Sequence, residues 1–275
     1  MKLIDFDKRF ARYAAKWMQD NHDKYEDVDQ MEMAMPDVYM RWLNKGADWL
    51  EGESPGMYFQ KFDDAQMLVK WYVAYFMGNV PVPDQLMERI VELGEKTAAG
   101  LGAVIKAESL SMEARMGAVS MLREMGSVAM LEEYIAWLGG AREIDELSDN
   151  AAESLKQMPG RRVVELCLDA YPGAPVTAQE CLLDVLCHFG GDERIFPLAL
   201  QRLYDTDNKA LMASFLAKLG DERAIEPLMG LLKGADIHYL DYIEIKNALQ
   251  VLGEDVIIDR SFEGDKYYES LKHIE

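Results

Sequence analysis

The chain has 275 residues, 49% of them hydrophobic, and carries 29 Lys+Arg against 49 Asp+Glu for a formal net charge of −20. That is enough apolar material for a sizeable core, in one extended domain or two compact ones. The acid excess argues against a surface that tracks phosphates, so nucleic acid and anionic membranes are not expected partners, whereas a basic protein segment or a cation is.

The opening MKLIDFDKRF holds acids where a secretory leader needs an apolar run, so no leader is expected. Phe6, Phe10, Tyr13 and Trp17 then fall on one helical stripe. DNHDKYEDVDQ (20–30) reads as an acidic loop, 36–50 as a helix and GESPG (52–56) as a turn. Asp63 or Asp64 is placed to cap a helix running to Gly78, NVPVPD (79–84) is a rigid break, and Asp84 is placed to start the next helix. The longest apolar stretch, Met67–Gly78, is too short to cross a membrane and contains Lys70. Four of the five tryptophans lie in this region, at 17, 42, 49 and 71. Residues 1–104 show no repeat and read as a helical cap that shields the leading apolar end of the periodic region beginning at 105.

From 105 to 275 the sequence is periodic. Gly126, Pro159, Gly190, Gly220 and Gly253 stand 33, 31, 30 and 33 residues apart, a spacing that signals a repeat array. Counting back by 1, 4, 5 and 8 from each reaches twenty positions. Nineteen are apolar, with Ser154 the exception, where composition alone would give about ten. Each unit therefore opens with an amphipathic helix, and a glycine at the register point suits the left-handed turn that ends it. Asp192 and Asp221 come next as caps for a second helix, which buries position +5 (Leu131, Val164, Ile195, Ile225, Ile258) and, except at Ser261, position +8. A helix–turn–helix unit of this size buries its apolar face only by stacking, and about five units are present.

ARMGAVSMLREMGSVAMLEEYIAWL and ASFLAKLGDERAIEPLMGLL resemble HEAT-like repeats of the phycocyanobilin-lyase type, over residues 112–262. The resemblance implies an all-α fold, an α–α superhelix with the N-terminal helical cap. It also implies that the second helices line the concave face. Such repeats serve scaffolds, lyase-like proteins and DNA glycosylases, so fold is implied more specifically than function.

Register +6 holds Glu132, Glu165, Phe196, Glu226 and Asp259, four acids in five places along the second helices. On the implied concave face they form an acidic docking strip for a basic segment of a protein partner, with Trp137 as an aromatic anchor. The helix dipole alone also favours a carboxylate there, by about 0.3–1 kcal/mol, and Trp137 and Tyr134 also fit a core role. Eighteen methionines, densest in MEMAMPDVYM (31–40), suit an adaptable surface, although many hold core positions.

No metal, cofactor or catalytic residue is expected. Cys181, Asp184, Cys187 and His188 are not spaced as a zinc site. There is no HExxH, GxSxG, P-loop or GxGxxG, and the four histidines are scattered. Three cysteines, without a CxxC pair, fit reduced thiols in the cytoplasm. The expected function is a non-enzymatic interaction or scaffold module. The alternatives are an enzyme of DNA-glycosylase or lyase type, or a small-ligand binder. The 17 Lys+Arg against 31 Asp+Glu of residues 105–275 oppose the glycosylase.

Overall fold

The computed structural model describes residues 3–234, 237–257 and 260–271, and over them the chain is all-α, with sixteen α-helices and no strand. It divides into two compact units, Met1–Met130 and Leu131–Glu275.

The first unit holds α1 (Phe6–Asn21), α2 (Val28–Met33), α3 (Met35–Leu43), α4 (Ala65–Met77), α5 (Asp84–Glu92), α6 (Glu95–Lys106) and α7 (Met112–Glu124). Short polar side chains cap α1, α4 and α7, Asp64 as the sequence indicates, whereas Asp84 is the first residue of α5 and makes no cap bond. Asp5 accepts the Lys8 N–H at 2.7 Å, Asp64 the Met67 N–H at 3.0 Å and Ser111 the Ala114 N–H at 3.2 Å. Two of the tryptophans meet Phe6, whose ring centroid lies 6.5 Å from Trp42, 5.6 Å from Trp49 and 5.7 Å from Phe59, while Trp17 packs on Tyr25 and Trp71 on Phe59 and Phe62. Two expectations change. The acidic stretch 20–30 is mostly helical, because α1 runs to Asn21, a 3-10 turn takes His22–Lys24 and Asp27 caps α2 at 2.8 Å. The helix expected at 36–50 ends at Leu43, where the chain folds back so that Ala47 N–H meets the Glu53 carbonyl at 3.0 Å. Gly46 permits the fold, since a β-carbon there would lie 2.7 Å from the Gly52 carbonyl oxygen.

The second unit holds α8 (Leu131–Gly140), α9 (Glu146–Lys156), α10 (Gly160–Ala170), α11 (Val176–Phe189), α12 (Ile195–Asp205), α13 (Lys209–Leu219), α14 (Ile225–Lys233), α15 (Tyr239–Val251) and α16 (Lys266–Leu271). The first helices of the five repeats are α7, α9, α11, α13 and α15. In all five the residues at −4, −5 and −8 are buried. Position −1 is buried only at Met158 and half-buried elsewhere, since it lies at the turn. Ser154, the polar exception, is buried because its hydroxyl donates to the Asn150 carbonyl at 2.8 Å. Gly190 and Gly220 end α11 and α13 at φ 59° and 67°. Helices stand in second position at α8, α10, α12 and α14. The fifth unit departs from the pattern: the described residues 254–257 and 260–265 are not helical, and helix returns only at α16. Ile258 and Asp259 lie outside the described residues. Arg260 explains the irregular backbone, since it donates to the carbonyls of Leu232 (3.3 Å) and Gly234 (2.5 Å), while Phe262 packs on Tyr239 and Tyr242. Along the unit the first helices pack closely in series, α9 on α11, α11 on α13 and α13 on α15. The second helices pack comparably only at α8 on α10.

Candidate functional site

Two rows of charge run along the second unit. The first is the +6 row. Glu132 is exposed and meets Arg162 at 3.3 Å; Glu165 meets Arg194 at 2.8 Å. Each arginine stands at the start of the following repeat's second helix, Arg162 just inside α10 and Arg194 just before α12. A Gly-Asp-Glu-Arg sequence, at 191–194 and again at 220–223, holds Arg194 and Arg223 in place. The Asp192 carboxylate accepts both the backbone N–H of Arg194 (2.9 Å) and its guanidinium (2.6 Å). Asp221 likewise accepts the Arg223 N–H at 2.9 Å and forms an ion pair with its side chain. Arg223 reaches back to Glu193 at 3.0 Å and lies over the Phe196 ring, 4.4 Å from its centroid. Phe196, the one non-acidic residue of the row, is therefore covered by the same turn arginine that elsewhere takes a carboxylate. Arg194 hydrogen bonds hold Asp192 down to about 2 and keep Glu165 below the usual carboxylate range. Glu226 is exposed and has no ion-pair partner among the described residues, and Asp259 lies outside them. Trp137 is half-buried, with its ring 5.8 Å from that of the buried Tyr134. Glu132 and Glu165 are thus held by arginines of the chain itself.

The second row lies on the first helices, and the sequence reading did not select it. Asp184 of α11 bridges Lys156 of α9 at 2.6 Å and Lys218 of α13 at 2.7 Å, and Lys156 also meets Glu153 at 2.7 Å. Burial pushes the Asp184 carboxyl up, but the two ammonium groups outweigh it and hold it below the usual range. Beside this bridge is a cavity of about 330 Å³. Leu138, Ile144, Ala152, Leu211 and Phe215 supply apolar walls; Asp149, Glu180, Asp184 and Lys218 supply charge. Glu180 accepts the Thr206 hydroxyl at 3.1 Å and lies 3.5 Å from Arg202. Asp149 is exposed and has no ion-pair partner among the described residues. Asp149 and Glu180 share register −10, a signal in the sequence that a search for apolar periodicity passes over.

Cys181 lines the same cavity, and burial pushes its thiol up to about 11; Cys167 and Cys187 are buried and pushed up to about 12. Thiols so shifted are protonated near neutral pH and poor nucleophiles. Among the described residues no group of three or more His, Cys, Asp or Glu is placed to hold a metal ion, and no helix is long and apolar enough to cross a membrane. Asp184, the carboxylate one helical turn before His188, faces lysines instead. No protein-family model matches the chain, and no curated protein matches it.

Proposed function

We propose that the second unit is a HEAT-like array acting as a non-enzymatic interaction module in the cytoplasm, and that it binds a segment of a partner protein rich in basic and apolar side chains. The observation that carries this reading is the cavity beside Asp184, apolar in its walls and acidic at Asp149, with Glu180 held beside Arg202. Such a surface accepts one apolar anchor flanked by Lys or Arg. The first helices pack on one another more closely than the second, and the closer row of a curved stack lies on its inner side. In this proposal the docking strip follows the first helices, which supply most of the cavity's lining. On the second helices Glu226 remains the free acid, with Glu132 and Glu165 occupied by Arg162 and Arg194.

The test is fluorescence anisotropy with a labelled synthetic peptide alternating Arg with Leu and Phe. Saturable binding that weakens steeply between about 50 and 500 mM NaCl, as screening requires, and that Asp149→Lys abolishes, is the expected result. Glu132→Gln and Glu226→Gln should leave it unchanged. Loss of binding in those two variants, with Asp149→Lys unaffected, would return the site to the second helices. Absence of binding in every variant counts against the module reading itself.

A further inference from the structure

The first unit is acidic like the rest of the chain, with 15 Lys+Arg against 21 Asp+Glu in residues 1–130, yet one face of α1 gathers cations. On α1, Lys8, Arg9 and Arg12 line a cavity of about 320 Å³ whose other walls are Leu3, Ile4, Asp5 and Trp49. None of the three cations pairs with a carboxylate among the described residues, although the chain has 49 acids to offer. Asp5 is the one acid in the wall, and its carboxylate caps α1 through the Lys8 N–H at 2.7 Å. Arg9 is already positioned: its guanidinium carbon lies 5.0 Å from the centroid of the Trp49 ring. Trp49 is held in turn by Phe6, at 5.6 Å. The opposite wall is fixed as well, because the Tyr75 hydroxyl donates to the Ile4 carbonyl at 3.1 Å and accepts the Ile4 N–H at 3.3 Å.

We propose that this cavity binds a soluble phosphate monoester carried on a small planar body. Three convergent cations exceed what one carboxylate neutralises, whereas a phosphate monoester brings nearly two charges and three acceptor oxygens. Arginine's planar fork matches phosphate oxygens two at a time, with Lys8 adding a third point of charge. Trp49, Leu3 and Ile4 then face the organic part. The site is separate from the peptide-docking reading and stands or falls without it.

The experiment is isothermal titration calorimetry of the full chain at about 0.15 M NaCl, where weak surface attraction is screened. Phenyl phosphate is the probe, with benzoate as the carboxylate control. A parallel co-sedimentation uses phosphatidylcholine vesicles with and without phosphatidic acid, which carries the same phosphate monoester on a lipid. The expected result is saturable binding of phenyl phosphate, weakened about tenfold or more by Arg9→Gln with Arg12→Gln and matched by no equal affinity for benzoate. Both arginines sit on the outer side of α1, and circular dichroism confirms that the double variant keeps its helix. Equal binding of benzoate, or equal binding by the double variant, overturns the assignment. Retention on phosphatidic acid vesicles without phenyl phosphate binding overturns the soluble ligand and moves the site to the lipid headgroup.

Discussion

Gly160 opens α10 directly against Phe189 at the end of α11, and a β-carbon there would come within 2.6 Å of the ring. The pair explains two details at once. Pro159–Gly160 replaces the usual turn because the next repeat's aromatic residue needs the space, and Phe189 stays half-buried because only a glycine lies beneath it. Gly160→Ala therefore destabilises the fold despite its better helix propensity, by about 1–3 kcal/mol, as overpacking does. Urea unfolding of the variant checks this; an unchanged or raised midpoint would show that Phe189 is free to move aside. Gly117 makes a similar allowance for the Tyr72 hydroxyl, which donates to the Ala114 carbonyl at 2.7 Å and ties α4 to α7.

Among elements, the bridge from Lys156 through Asp184 to Lys218 joins three successive first helices. Asp184→Ala leaves Lys156 partly buried with Glu153 as its remaining carboxylate, and costs about 2–4 kcal/mol, the range for breaking a half-buried pair. Thermal unfolding measures it, and the matching variant Glu132→Ala, on an exposed pair, should barely move the transition. The helices themselves were legible in sequence wherever burial imposed a period, as at Leu182, Val185 and Leu186 or Met212, Phe215 and Leu216. The fifth unit was misread because Ile258 continues the apolar +5 register in the sequence while Arg260 and Phe262 tie the backbone to α14 and α15, and no local pattern announces such tertiary bonds. The acids at +6 were legible as a row, but their partners were not, since an arginine's reach to the preceding repeat depends on packing. Asp149 and Glu180 were overlooked because register −10 lies outside both the apolar positions and the +6 row that the sequence reading followed.

At the scale of the whole molecule, the net charge of −20 and the depressed carboxylates act in opposite directions as pH falls. Protonation toward the isoelectric point, near 4.6, relieves self-repulsion and should raise the melting temperature modestly. Below about pH 4 the sign reverses. Asp192 sits at about 2 against an ordinary 3.8, and Asp184, Asp221 and Glu165 are also lowered, so the unfolded chain binds more protons than the folded one. Their contribution is complete above the ordinary carboxylate value and is lost as pH falls through the folded values. Calorimetry from pH 7 to 2 should trace a shallow rise and then a steep fall, and Arg194→Met should flatten the fall. A melting temperature that declines steadily from pH 7 would mean that self-repulsion is negligible.

Arginines at the start of the second helices give the stack a direction. Arg162, Arg194 and Arg223 all reach back toward the preceding repeat, and Glu226 is left as an acceptor that no later arginine fills among the described residues. Every Gly-Asp-Glu-Arg turn thus brings its own plug and meets a ready socket, so the segment from Asp192 to Gly220 is an interchangeable cassette. Copied in tandem it regenerates the same junction on both sides, and the lengthened protein should melt at a higher temperature than its parent.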